Sequence, residues 1–183
     1  TVETESQYYA IDQPYDEETL ISIGNMVARI WNPSLPIKAI IADLDHVVWG
    51  GVWVEDGAGG VLLGNTGEGR IYLDVQRWLL ARRNEGILLG ICSHNTLNNI
   101  EHALSTHPNM LLRPETIHAI RSSEGSKATA VESMINHWAF SPENILVLDD
   151  DPLDRFEIKQ RFPAMNVPDL PDRPERYMTF LQN

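Results

Sequence analysis

Residues 39–45 read Ala39-Ile40-Ile41-Ala42-Asp43-Leu44-Asp45. Four apolar residues run straight into an acid, and a second acid follows two positions on. An uninterrupted apolar run over 37–42 suits a strand buried on both faces, as in a parallel sheet. Such a strand delivers Asp43 to its carboxyl end, where open α/β sheets bind their ligands. The pattern returns downstream. Ile145-Leu146-Val147-Leu148 ends in Asp149-Asp150-Asp151, and the apolar run over 86–92 ends in Ser93-His94-Asn95.

Between these tips the chain alternates. The periodicity predicts helices over 71–84, 97–105, 126–138 and 153–161. Strands are expected over 37–42, 86–92, 110–112, 117–120, 145–148 and 165–167. This order predicts an α/β fold, a doubly wound parallel sheet with helices on both faces. Upstream, Leu20, Ile23, Val27 and Ile30 recur at helical spacing from Glu17, and Asn32-Pro33-Ser34-Leu35-Pro36 stops that helix. The chain therefore divides into a polar segment and helix over 1–36, packing on a catalytic core over 37–183. Eight of the twelve glycines fall between Leu44 and Arg70. They suit a loop of tight turns or a small β-hairpin flap beside the first acidic tip.

The 183 residues carry a formal net charge of −12. Such a field repels nucleic acid and anionic membrane surfaces, so neither is an expected partner. No apolar run reaches the roughly 18–20 residues of a membrane helix. The same field repels phosphate, so a phosphate site here needs a local cation. The single cysteine, Cys92, cannot form an internal disulfide and suits a reducing, cytoplasmic setting. A start at Thr1 reads as a processed product or a segment of a larger protein.

Acids at two strand tips facing one crevice repel unless a hard cation lies between them. Mg2+ takes oxygen ligands and bridges to phosphate. Asp43, at the tip itself, is placed to attack phosphorus in line. Asp45, two residues on, can reach the leaving oxygen as general acid and later base. Ser93 can donate to a phosphoryl oxygen, and Lys127 can neutralise the transferring group. Each piece alone is weak, because acids often end strands as turn residues or cap helices. Their order, each after an apolar strand, gives the set its specificity.

Residues 39–47 resemble motif I of the haloacid dehalogenase (HAD) superfamily. Residues 91–95 resemble motif II, Lys127 looks like motif III, and 146–150 with Asp154 look like motif IV. A narrower likeness runs over about 37–181. Asp43-Leu44-Asp45-His46-Val47-Val48-Trp49-Gly50-Gly51-Val52, the run 88–95, the run 107–113, and Asp149-Asp150-Asp151-Pro152-Leu153-Asp154-Arg155 are similar to the FkbH-like subfamily.

That resemblance implies a domain of a multidomain polyketide synthase. It would take 1,3-bisphosphoglycerate, a small phosphorylated three-carbon substrate, and remove phosphate. It would then load a glyceryl-type unit onto the phosphopantetheine thiol of an acyl carrier protein. Asp43 would be the nucleophile, Asp45 the acid/base, and Ser93 and Lys127 phosphate contacts. Asp149, Asp150 or both would hold Mg2+ with Asp43 and the Asp45 carbonyl. His46, Trp49, Gly50, Gly51, His94 and Asn95 would line the substrate. Cys92 stands where an acyl-carrying thiol has been considered, but strand alternation equally makes it a core residue opposite Ser93. Arg82, Arg83, Arg113, Arg121 and Arg155 are candidates for docking an acidic carrier.

The chain departs from the subfamily at His46-Val47-Val48, at His94 and before Lys127, which touches the substrate pocket rather than the acids. A simple phosphatase of a small phosphometabolite and a non-catalytic scaffold of the same fold are the competing readings.

Overall fold

The computed structural model of the chain describes residues 36–123 and 125–182, together with Thr19, Leu20, Ile23 and Gly24. The expected N-terminal helix from Glu17, and its packing on the core, lie almost wholly outside the described residues. Those four are themselves helical. Pro36–Gln182 form one compact unit.

Strand β1, Ala39–Ala42, is the centre of that unit, and none of its side chains is more than 1% exposed. It pairs in parallel with β2, Leu88–Ser93, on one side and with β4, Ile145–Leu148, on the other. Strand β3, Ala119–Ser122, pairs with the far edge of β2, giving the order β3-β2-β1-β4. Five helices carry the connections and the tail: α2, Gly69–Asn84; α3, Leu97–Thr106; α4, Lys127–Trp138; α5, Pro152–Arg161; and α6, Tyr177–Gln182. A shorter helix, α1, Trp53–Gly60, lies in the glycine-rich stretch.

The two faces of the sheet bury separate cores, as the two-residue period of a strand dictates. Ile40, Ala42, Leu89 and Ile91 pack with Tyr72, Leu73, Val75 and Leu79 of α2 and Ile100, Ala103 and Leu104 of α3. Ala39, Ile41, Cys92, Ile145 and Val147 pack with Val131, Met134 and Ile135 of α4 and Ile158 of α5. The α/β class and the helices on both faces are as expected.

Two expected strands are absent. Over 110–112 Met110 and Leu112 are buried, but the backbone has no neighbouring strand. Leu111 and Leu112 N–H both donate to Gln76 Oε1, at 2.8 and 3.1 Å, and Gln76 Nε2 donates to the Val48 carbonyl at 2.9 Å. A wholly buried side-chain amide replaces the ladder. Over 165–167 only Asn166 bridges, to Leu146, and Pro168 then lacks the N–H that would extend the pairing.

The expected flap follows β1 in modified form. Gly50 and Leu62 exchange both backbone hydrogen bonds, 3.1 and 2.8 Å, so one antiparallel bridge closes the excursion. Between them runs α1 rather than two regular strands. Asp56 Oδ2 accepts from Val52 N–H at 2.8 Å at its start, and Gly57, at φ 65°, breaks it.

Candidate active site

Register decides what meets at the carboxyl end of the sheet. Ala42 lies opposite Ile91 and Leu148. The next residues out are therefore Asp43, Cys92 and Asp149, with Asp43 N–H donating to the Leu148 carbonyl at 2.9 Å. Lys127, the first residue of α4, is 1% exposed and reaches over the tips. Its Nζ lies 2.9 Å from Asp43 Oδ2, 2.6 Å from Asp149 Oδ2 and 3.0 Å from Asp154 Oδ2. Burial pulls the ammonium down, but Asp43 and Asp149 outweigh it, so Lys127 is raised and stays charged.

One carboxylate oxygen from each of Asp43, Asp149 and Asp150 lies within 4.8 Å of the others. With Asp154 the site gathers four carboxylates, three of them in contact with Lys127 Nζ. Burial raises Asp43 to about 7, the neighbouring Asp149 adds to this, and Lys127 opposes it. Burial also raises Asp149 and Asp150. A divalent cation relieves both the repulsion and the desolvation, and three carboxylate oxygens are donors that a hard ion such as Mg2+ takes. The donor set fits a metal of that kind. The Asp45 carboxylate is outside the trio.

Asp45 is held by three donors instead. Its Oδ1 accepts from Trp49 Nε1 at 2.8 Å and Trp53 N–H at 2.9 Å, and its Oδ2 accepts from Asn95 Nδ2 at 2.7 Å. The expected substrate contact of Trp49 is thus a buried positioning contact: the indole has no exposed surface. Gly50 and Gly51 likewise serve the flap. A Cβ on Gly50 would lie 2.6 Å from the Tyr72 ring, and Gly51 sits at φ 90° with Asp56 Oδ2 where its Cβ would be. Asn95 Nδ2 also donates to Ser93 Oγ, at 3.1 Å, which fixes the Ser93 hydroxyl.

His46, also left-handed at φ 58°, begins the flap. With Tyr72, Asp150, Arg155 and Tyr177 it lines a cleft of about 330 Å³ that adjoins the trio through Asp150. His94 extends the charge network. Its Nε2 is 3.0 Å from Asp154 Oδ2, and its Nδ1 is 2.9 Å from the Ser123 carbonyl. Burial lowers this imidazole, but the carbonyl and Asp154 outweigh it and the net shift is upward. Facing Asp154, His94 supports the site from the side.

Cys92 faces the second core, on the opposite side of the strand from Ser93. It is 1% exposed, and burial pushes its thiol up to about 12. Thiolate chemistry does not suit this place. The five arginines considered for docking each bind the chain's own groups. Arg83 donates to the Thr116 carbonyl, Arg113 to Leu104 and Ser105, Arg121 to Ile120, Arg82 to Glu85, and Arg155 to Asp149 and Asp150. Two residues that complete the site were not expected in its chemistry: Asp154 entered only with the motif IV likeness, and Arg155 only as a docking candidate. Asp154 and Arg155 follow the acidic tip by one helical turn, and that spacing was the available signal.

No family model matches the chain, and no curated protein is significantly similar to it. The solved structures are more informative. The chain is 26% identical to the N-terminal part of the protein BF1531 from Bacteroides fragilis, containing a phosphatase domain complexed with Mg. The two superpose with a TM-score of 0.81 over 97% of this chain. The chain has a HAD-superfamily, phosphatase-like fold. It spans about half, 48%, of the length of that Bacteroides chain. Two other solved structures overlap less. A protein from Vibrio cholerae described as a 3-deoxy-D-manno-octulosonate 8-phosphate phosphatase is 21% identical over 68% of this chain and 62% of its own, TM-score 0.44. A HAD superfamily hydrolase of subfamily III A from Legionella pneumophila is 16% identical over 79% and 70%, TM-score 0.47. At that overlap neither adds to the fold assignment. Asp43 and Asp45 follow β1, Ser93 ends β2, Lys127 opens α4, and Asp149 and Asp150 follow β4. Among the described residues no helix is long and apolar enough to cross a membrane.

Proposed function

We propose that this chain is a Mg2+-dependent HAD-type phosphatase domain acting on a small phosphometabolite through a phosphoaspartate on Asp43. The observation that carries this reading is the trio Asp43, Asp149 and Asp150 with Lys127 bridging two of its members. A buried cluster with that excess of negative charge is a place for a cation and a phosphoryl group, not a stable surface feature. The likeness to a phosphatase domain complexed with Mg supports it.

The Asp43 carboxylate attacks phosphorus, and the bond from phosphorus to the leaving oxygen breaks as Asp45 gives that oxygen a proton. Asp45 then takes a proton from water as the water oxygen attacks phosphorus. Phosphate leaves and Asp43 is regenerated. Lys127 offsets charge on Asp43 and the phosphoryl oxygens, and Ser93 Oγ donates to one of them. Asp43, Asp149 and Asp150 would hold the Mg2+, which supplies charge neutralisation on the phosphoryl group. Three hydrogen bonds fill three of the four lone-pair sites of the Asp45 carboxylate, leaving one on Oδ2 for the proton it transfers.

The test is phosphate release from a panel of phosphometabolites, with Mg2+ and with chelator. Mg2+-dependent release that Asp43→Asn abolishes is expected. Release from Asp43→Asn at the parental rate would refute the reading.

The motif likeness over 37–181 favours a narrower version, in which the product is loaded on a carrier protein. Intact-mass analysis of holo acyl carrier protein with this chain, Mg2+ and 1,3-bisphosphoglycerate decides it. A three-carbon adduct supports loading. Phosphate release without an adduct leaves the plain phosphatase.

A further inference from the structure

One cationic group beneath the acidic loop has no part in the chemistry above. Arg155 lies a turn into α5 and is 8% exposed. Its Nη1 donates to the Asp149 carbonyl at 2.9 Å and to the Asp150 carbonyl at 2.6 Å. Its Nε lies 3.3 Å from Asp169 Oδ1, which also accepts from Lys159 Nζ at 3.1 Å. One guanidinium therefore grips the peptide carbonyls of two successive residues whose side chains make up two-thirds of the acidic trio.

The contact suits this role for three reasons. Loop carbonyls turned inward need donors, and these two find theirs in one side chain. A guanidinium stays charged at any working pH and presents its N–H groups in a rigid plane, so it sets direction as well as charge. Its positive charge also sits on the backbone side of the acids, where it offsets their repulsion without occupying the space between their oxygens. Elsewhere in the loop, Asp151 N–H donates to Asp149 Oδ1 at 3.0 Å, Leu153 N–H to Asp151 Oδ1 at 2.7 Å and Arg155 N–H to the Asp151 carbonyl at 3.1 Å.

We propose that Arg155 is a positioning residue of the cation site. It clamps the Asp149–Asp150 backbone so that both carboxylates face Asp43, and Asp169 holds the guanidinium in that pose. The inference rests on the metal-dependent reading above. Removing groups that orient metal-binding residues weakens metal affinity by about 10–100-fold.

The experiment is calorimetric titration of the full chain with Mg2+, beside its Tm in chelator, for the parent, Arg155→Gln, Arg155→Lys and Asp169→Asn. Arg155→Gln should raise the Mg2+ Kd at least about ten-fold. Arg155→Lys should fall between it and the parent. Asp169→Asn, whose side chain is 76% exposed, should keep the parental Tm and weaken Mg2+ in the same direction by less. At saturating Mg2+ the substrate KM of Asp169→Asn, which does not line the cleft, should return to the parental value, which a general loss of structure would not allow. Parental Mg2+ affinity in both Arg155→Lys and Asp169→Asn overturns the clamp, whether or not Arg155→Gln folds. A parent that binds no Mg2+ overturns the clamp and the metal-dependent reading together. A parent that binds, with variants that bind equally, overturns the clamp alone.

Discussion

At the scale of single residues, the site is a problem of crowded charge. Lys127 is wholly buried and its Nζ contacts Asp43, Asp149 and Asp154. Removing one partner of a buried ion pair costs about 3–5 kcal/mol, because the other is left uncompensated. Lys127→Met should lose stability on that scale at neutral pH in denaturant unfolding, and part of it should return in acid, where the stranded carboxylates take up protons. A neutral effect at pH 7 would contradict the pairing. Trp49 makes a finer case. Trp49→Phe keeps the buried ring but deletes the N–H to Asp45 Oδ1, while Trp53 N–H and Asn95 remain. General acid–base catalysis contributes about 10²–10⁴-fold. Loosening its carboxylate should lower kcat by about ten-fold with KM and Tm little changed. Asp43, Asp45, Ser93 and Lys127 were legible because each stands where an apolar strand or a helix begins or ends. Trp49 was legible as a residue that matters but not for its role. An indole N–H aimed at a carboxylate four residues earlier depends on the turn between them, including the left-handed His46.

At the scale of elements, the sheet aligns the chemistry and glycine lets a helix approach it. A side chain on Gly90 of β2 would run into the Met134 side chain and the Trp138 ring of α4, the helix that carries Lys127. Overpacking a tight core costs about 1–3 kcal/mol. Gly90→Val should destabilise by that amount in denaturant unfolding, and activity should fall with it because Lys127 is displaced. Full activity in a destabilised variant would show that Lys127 is positioned independently of this contact. The parallel strands with acidic tips, and helices α2 to α5, could be read from apolar period and length. The apolar triplets at 110–112 and 165–167 could not be separated from strands, because burial alone does not say where backbone N–H groups go. Gln76 answers that question for the first, and Pro168 for the second. The flap was legible as an excursion, since glycines crowd there. Its helix was not, because it depends on the Asp56 contact with Val52 N–H.

For the whole molecule, the acidic cluster links stability, pH and metal. Asp43 is raised from 3.8 to about 7 in the folded chain. Between those values the folded state holds a proton that the unfolded state has lost. The metal-free protein should therefore lose stability as pH rises through this window. Mg2+ needs the deprotonated carboxylates, so its affinity should climb toward pH 7 and flatten above it. Thermal unfolding with chelator and with saturating Mg2+, across pH 4–8, checks both slopes. A metal-free Tm that rises through the window would contradict the assignment for Asp43. The α/β fold of the described residues was legible because apolar strands alternate with helices and end in acidic tips. The substrate was not, since it depends on a cleft whose walls, including His46, Tyr72 and Tyr177, come from segments far apart in the chain. The most direct measurement is acid-quench trapping of the turning-over enzyme with a hydrolysed phosphometabolite and Mg2+, followed by peptide mass analysis. The account predicts one phosphoryl group on the peptide holding Asp43, absent in Asp43→Asn. Turnover with no phosphoryl group on that peptide, or with one on a different residue, would contradict it.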